Sequence, residues 1–375
     1  IKFITLYHLI FLVKIKFMMK VAIIGNSLTS VVLAKALVNK DIFVDIFCEN
    51  KKIIIDKSRS IGISKSNIDY FNENILNINN ILWPIKKIKI YSENSNNQEI
   101  IKFEDYENSL FSIMKNEKIF DRLYLDLEKS KFFKFKKNTG YKYLSKSSYN
   151  LIINCDYKNK ISKKFFCKRI YKNYDSFAHT TIIKHDKIAD NNTAYQYFTK
   201  RGPLAFLPIS KNETSIVYSV KGSKDVNLDY FIKKFNTKFR INKINKHSRF
   251  ELKSISLRSY YHKNILAFGD LLHRVHPLAG QGFNMTIRDI KVLINLIKFS
   301  LDHGLDLDES ICEKFEKKVK SRNYIFSNSI DLIYEFFNLE SKIKNNILGK
   351  FVKHLGKNKI INKVFLNIAN RGVQI

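Results

Sequence analysis

Residues 20–49 constrain the fold most. Val21-Ala22-Ile23-Ile24 is a short aliphatic run without polar alternation, as in a strand buried on both faces. Gly25 breaks it, Leu28 to Leu37 reads as a helix of small and aliphatic residues, and Asp41 to Phe47 reads as a second strand that ends at Glu49. Strand, helix and strand within about 30 residues form a βαβ unit, whose strands must lie parallel with a right-handed crossover. A chain that opens this way is an α/β protein with a parallel sheet.

At 375 residues the chain has room for two or three domains, or one large interleaved body. Hydrophobic residues at 45% and aromatics at 13% supply a core and exclude global disorder. No stretch approaches the roughly 20 apolar residues of a membrane-spanning helix. Cys48, Cys155, Cys167 and Cys312 are scattered with no CxxC pair, which argues against a disulfide scaffold or zinc module and for a reducing compartment. The charge is +32, from 66 basic and 34 acidic residues. Lysine is spread through almost every segment beside abundant Ile and Asn, so compositional bias is its main source and no nucleic-acid partner is expected.

Residues 85–105 alternate like a hairpin, 109–129 read as helical, and Tyr149 to Asn154 is another short buried strand. Residues 177–220 are strand-like, with turns at Arg201-Gly202-Pro203 and near Asn212. Ile265 to Phe268 is a strand that feeds a glycine-rich turn and a helix from about Gly282 to Leu301, and everything after Leu307 reads as helical. Phe3 to Val13 is an apolar run between lysines, outside any fold pattern, and Met18-Met19 stands directly before the first strand. A start at Met18 or Met19 is expected, with residues 1–17 a non-native or flexible extension.

Two stretches have the pattern of an anion- or nucleotide-binding turn. Gly25-Asn26-Ser27-Leu28-Thr29-Ser30 stands in the place of a G-x-G-x-x-G fingerprint. Gly25 can make the tight turn. Ser27 and Ser30 are small enough to permit approach of a pyrophosphate to the helix start and can donate to it, though less well than glycine. Glu49 sits where a carboxylate accepts from a ribose diol. The second stretch is stronger. The chain has only 12 glycines and four prolines, yet Gly269, Gly280, Gly282 and Pro277 fall within 14 residues, 269–282. Gly269 lets the backbone pass close to a bound chain, Asp270 can accept from polyol hydroxyls, Pro277 stiffens the loop, and Gly280 and Gly282 free N–H groups at the next helix start. That positive helix end suits a group that gains negative charge.

The second stretch resembles a known family. Gly269-Asp270-x-x-His273, then His276-Pro277-Leu278-Ala279-Gly280-Gln281-Gly282-x-Asn284 and Arg288-Asp289, is similar to the FAD motif of class A flavoprotein monooxygenases, in the version typical of the UbiH/UbiF-type hydroxylases of ubiquinone biosynthesis. Arg59-Ser60-x-x-x-Ser64-x-Ser66, Trp83-Pro84, Gln196-x-Phe198 and Gly202-Pro203-Leu204-Ala205-Phe206-Leu207-Pro208 agree in order, and Arg322-Asn323 matches the start of the family's C-terminal helices. The likeness spans about residues 19–372. The departures are one fingerprint glycine of three, Cys155-Asp156-Tyr157 in place of an Asp-Gly motif, and Leu271-Leu272 where small residues are usual.

The resemblance implies a Rossmann-like FAD-binding domain with a parallel sheet (18–84, 106–170 and 255–300), an interleaved β-sheet substrate domain (85–105 and 171–254) and a C-terminal helical region (301–375). It implies FAD held by Gly25, Ser27, Ser30, Glu49, Arg59, Asp156, Gly269, Asp270, Pro277, Gly280, Gln281, Gly282 and Asn284, with NAD(P)H the expected reductant. His276 and Pro277 are flavin-loop candidates for a catalytic role; His273 and His276 are otherwise expected to shape the loop by hydrogen bonds. No metal site is expected. The implied reaction adds one oxygen atom from O2 to the aromatic ring of a polyprenylated phenol. The alternative is a non-catalytic FAD-binding subunit of a ubiquinone-biosynthesis complex. From Ser341 to Ile375 there are seven Lys, one Arg and no acid, with apolar residues at helical spacing. A basic amphipathic tail of this kind can pack on the body or lie on a membrane surface, so a cytoplasmic protein peripheral to the inner membrane face is expected.

Overall fold

The computed structural model describes residues 19–48, 55–93, 98–105, 109–137, 144, 149–222, 225–277 and 280–342. The N-terminal extension, Glu49, Leu278-Ala279 and the tail beyond Lys342 lie outside the described residues.

The opening unit is β1 (Lys20–Ile24), α1 (Leu28–Val38) and β2 (Phe43–Cys48), with β1 and β2 parallel and Val21 opposite Val44. Next come β3 (Ser60–Ser64), α2 (Lys65–Asn74), β4 (Trp83–Ile85), β5 (Lys87–Ser92), β6 (Gln98–Glu104), β7 (Phe111–Lys115), α3 (Asn116–Glu128), β8 (Phe133–Lys137), β9 (Leu151–Asn154) and α4 (Lys160–Phe165). The middle of the chain holds the long β10 (Arg169–His185), then β11 (Thr193–Thr199), β12 (Gly202–Pro208), β13 (Glu213–Lys221), α5 (Leu228–Phe235), β14 (Ile241–Ile244) and β15 (Ser248–Leu257). It closes with β16 (Tyr261–His262), β17 (Ile265–Ala267), β18 (His273–Arg274), α6 (Gln281–Asp302) and α7 (Glu309–Lys342).

Six strands form a sheet in the order β16-β17-β9-β1-β2-β8, parallel except at β16. Its centre reads as unbroken aliphatic runs because helices cover it: Val31, Val32, Leu33, Ala34 and Leu37 of α1 and Ile287, Ile290, Leu293 and Ile297 of α6 are buried in one core with β1 and β9. β1 is followed by β2 on one side and β9 lies on the other. Strand order therefore reverses at β1, which opens a crevice beyond the carboxyl ends of these strands.

A nine-stranded sheet runs β18-β15-β10-β13-β12-β11-β5-β6, with β14 also on β10. α5 seals one face through Leu228, Ile232 and Phe235 against Leu204, Phe206, Ile216 and Tyr218. The opposite face turns toward β3: Ser58 Oγ is 2.8 Å from Thr180 Oγ1, and Ser60 Oγ donates to Ser215 Oγ at 2.8 Å.

Two local expectations are corrected. Residues 111–115 are a strand, not the start of a helix, because β7 is paired on both sides by β3 and β4; tertiary pairing outweighs the helical reading of this run, and the helix begins at Asn116. Arg322-Asn323 does not open a helix either, since α7 runs unbroken from Glu309 through it.

Candidate functional site

Three strand ends meet in the crevice. Gly25 follows β1 with φ +101°, and its N–H donates to Phe47 O at 2.9 Å. A Cβ added there would lie 3.0 Å from Cβ of Asp156, just past β9. Both features exclude a larger residue. Ser27 is the N-cap of α1. Its Oγ accepts from the Ser30 N–H and its own N–H donates to Ser30 Oγ, each at 3.3 Å. The two hydroxyls expected to reach a phosphate thus serve a reciprocal capping box. Asp156 Oδ1 accepts from the Lys158 N–H at 2.8 Å, and burial pushes the neighbouring Cys155 thiol up to about 12.

Gly269 follows β17 with φ +62°, and an added Cβ would land 2.7 Å from Thr29 Cγ2 in the first turn of α1. This close approach brings Asp270 beside the positive end of α1. Its side chain is 70% exposed and 3.9 Å from the Arg274 guanidinium, free to accept from a ligand at the mouth of the crevice.

Gly280, at φ +63°, caps α6, and its N–H donates to Pro277 O at 3.2 Å. An added Cβ would sit 3.4 Å from the Gly62 nitrogen in β3. Asn284 fixes this contact. Its amide nitrogen donates to Gly62 O at 3.0 Å and Gly280 O at 3.2 Å, while its oxygen accepts from the Ser64 N–H at 2.9 Å and Asn67 Nδ2 at 2.8 Å. Gln281 Oε1 is buried with no hydrogen-bond partner among the described residues. Gly282 is different: an added Cβ would meet only Val275 at 3.8 Å, so its surroundings do not demand glycine.

Behind the loop, His273 Nε2 is 2.6 Å from Asp289 Oδ2, and both side chains are almost fully buried. Asn323 of α7 donates to both Asp289 oxygens at 3.0 and 3.1 Å, and the Arg322 guanidinium lies 3.7 Å away. His273 therefore anchors the loop to α6 and α7. His276 does not act by hydrogen bonding, contrary to expectation. Its ring packs against Tyr334 (centroids 4.2 Å, stacked) and the edge of Tyr174 (5.1 Å), and neither ring nitrogen has a partner among the described residues. Burial pushes its imidazole down to about 3, so it is neutral and unsuited to hold a proton in the physiological range. Arg59 is exposed, its guanidinium 4.9 Å from the Phe250 ring centroid. Among the described residues no group of three His, Cys, Asp or Glu is placed to hold a metal ion.

Sequence reasoning missed Thr29, Gly62 and Asn67, the surfaces on which the loop rests. Gly62 carried a signal, as a rare glycine inside the Arg59–Ser66 segment. Thr29 and Asn67 carried none, since their role lies in contacts with residues more than 200 positions away.

Residues 228–306 match the family model for an FAD binding domain. The "Ubiquinone biosynthesis monooxygenase COQ6, mitochondrial" of Schizosaccharomyces pombe is 24% identical over 247 residues, 52% of this chain and 52% of that protein. The 3-demethoxyubiquinol 3-hydroxylase of Escherichia coli is 26% identical over 176 residues, 44% of each chain. These matches make the chain similar to FAD-dependent monooxygenases of ubiquinone biosynthesis. It spans about half the length of the curated relatives it matches. Among solved structures, p-nitrophenol 4-monooxygenase PnpA of Pseudomonas putida superposes with TM-score 0.76 at 10% identity, over 96% of this chain and 100% of that one. Klebsiella pneumoniae HpxO, solved with FAD and uric acid, gives 0.73 at 13%, over 94% and 96%. These likenesses show that the chain has the fold of these proteins.

FAD, the cofactor named by the matched domain model, fits the residues present. The positive-φ glycines 25 and 269 bring the backbone to the start of α1, Asp270 offers an exposed acceptor there, and Gln281 presents at the start of α6 a buried oxygen with no hydrogen-bond partner among the described residues.

Proposed function

We propose that the protein is an FAD-dependent monooxygenase that hydroxylates the aromatic ring of a polyprenylated phenol in ubiquinone biosynthesis, with O2 as co-substrate and NAD(P)H as reductant. The observation that carries this reading is the Gly269–Asn284 loop, clamped to β3 through Asn284. The names of the partial-length relatives, which refer to ubiquinone biosynthesis and to 3-demethoxyubiquinol, support the proposed substrate class. Bound FAD would supply the redox chemistry that activates oxygen. The chain's own residues bind and orient. Asp270 accepts from polyol hydroxyls, the α1 start and Gly25 take the pyrophosphate, and Gln281 meets the ring system. The α6 start, opened by Gly280, stabilises developing negative charge. Arg59, Asp156 and Pro277 line or stiffen the same crevice, and the face of the nine-stranded sheet that turns toward β3 holds the phenol ring and excludes water.

We assign residues 18–84, 106–170 and 255–300 to the FAD-binding domain, 85–105 and 171–254 to the substrate domain, and 301–375 to the C-terminal region. Among the described residues no helix is long and apolar enough to cross a membrane. A peripheral membrane position through the basic segment 341–375 suits a polyprenylated substrate. It predicts sedimentation with anionic liposomes that weakens as salt rises, each basic residue contributing about 1 kcal/mol near the surface.

The deciding experiment incubates the flavin-loaded protein with reductant, O2 and a short-chain prenylated phenol, and reads product mass. A gain of one oxygen atom supports the assignment. Bound flavin with no oxygenated product across reductants favours the second reading, a non-catalytic FAD-binding subunit, for which the Ser27–Ser30 hydrogen bonds in place of free phosphate donors speak.

A further inference from the structure

The face of the nine-stranded sheet that carries α5 holds a second cleft. Successive residues of a strand point to opposite faces. Thr180 bonds Ser58 on the β3 side, so His179 points the other way, into the space before α5. That space is a cleft of about 720 Å³ lined by His179, Asp225, Val226, Asn227, His247 and Arg249. Clefts of about 300–1,000 Å³ are the size that small molecules occupy.

His179 forms its floor. His179 is 1% exposed, yet neither ring nitrogen has a hydrogen-bond partner among the described residues. A buried polar group left unpaired is costly and rare in the absence of a ligand. Arg249 stands directly opposite His179 in the β10–β15 register, and the His247 ring centroid is 6.5 Å from that of His179. Asn227 caps α5 by accepting from the Tyr230 N–H at 3.0 Å, so the positive end of α5 opens into the same space. Arg249 pairs with Asp225, but that side chain is 94% exposed, and an exposed pair is worth little against an entering anion.

We propose that this cleft binds the phosphate group of a small phosphorylated molecule. Two imidazoles, one guanidinium and a helix start converge on it, which suits a tetrahedral oxyanion with several acceptors. The volume left beyond the phosphate accommodates the organic part. The site is separate from the flavin crevice, on the opposite face of the sheet.

The test titrates inorganic phosphate into FAD-loaded protein by calorimetry, so that the flavin's own pyrophosphate site is filled. Saturable binding is expected, and His247→Ala and Arg249→Gln, both at the exposed rim, should each weaken it about tenfold, the loss of one charge-assisted hydrogen bond. His179→Asn should weaken it further, with flavin absorbance unchanged in every variant. Absence of saturable phosphate binding would overturn the proposal. So would binding that both rim variants leave intact, or binding seen only to vesicles bearing phosphatidic acid, which would make the cleft a membrane contact.

Discussion

The two glycine turns at the edge of the six-stranded sheet differ in how they use glycine. At the first, only Gly25 remains of the three-glycine pattern, and Ser27 and Ser30 close on each other as a helix cap. At the second, Gly269 and Gly280 keep left-handed backbone angles and close contacts with Thr29 and Gly62. The difference shows what glycine is needed for. Where a Cβ would strike a neighbour and φ is positive, a glycine-poor chain still keeps glycine. Where only a small residue is needed at a helix start, serine suffices and repairs the helix end as well.

If the second turn is the more heavily constrained, its support should be the most sensitive part of the molecule. Asp289→Ala removes the acceptor shared by His273, Asn323 and Arg322, and should lower stability by about 3–5 kcal/mol and release flavin. Urea unfolding followed by fluorescence measures the first and absorbance the second; a loss under 1 kcal/mol would show that this network does not hold the loop. Gly269→Ala should cost somewhat less, about 1–2 kcal/mol for the left-handed angle and about 1–3 kcal/mol for crowding Thr29.

A third prediction concerns pH. The folded pKa of His276 lies below its unfolded value near 6.5, so the unfolded chain binds the proton first. Its contribution is complete above about pH 6.5 and is lost toward about pH 3, at up to about 1.4 kcal/mol per pH unit. Stability should fall from pH 6.5 to 4.5 in the native protein, and His276→Gln should flatten that slope; an unchanged slope would place the titration elsewhere.

The first turn should prove tolerant. Ser27→Ala should cost about 1 kcal/mol and Ser27→Gly only a few tenths, with flavin retained in both. Equilibrium dialysis of FAD checks this. If Ser27→Gly instead tightens FAD markedly, the capping box competes with the pyrophosphate and the first turn is compromised rather than merely repaired.

Much of this was legible beforehand because it depends on local pattern. The aliphatic run of β1, the small residues of α1 and the spacing to β2 announce a parallel sheet through burial and chain reach alone. The glycine cluster announces a turn with special backbone angles because few other residues adopt them. Where local pattern misled, long-range contact had decided the outcome. Residues 111–115 pair with β3 and β4 on both sides, and the His276 ring lies between tyrosines of β10 and α7.

The sequence by itself determined the α/β class, the opening crossover and the loop from Gly269 to Asn284, since periodicity and glycine placement act over a few residues. Only the tertiary structure decided what that loop rests on: Gly62 beneath Gly280, Thr29 beneath Gly269, and Asp289 between His273 and Asn323. It alone also left His179 buried at the floor of an open cleft, with no hydrogen-bond partner among the described residues. These arrangements follow from how strands far apart in the chain are brought side by side, and the local spacing of residues does not encode that.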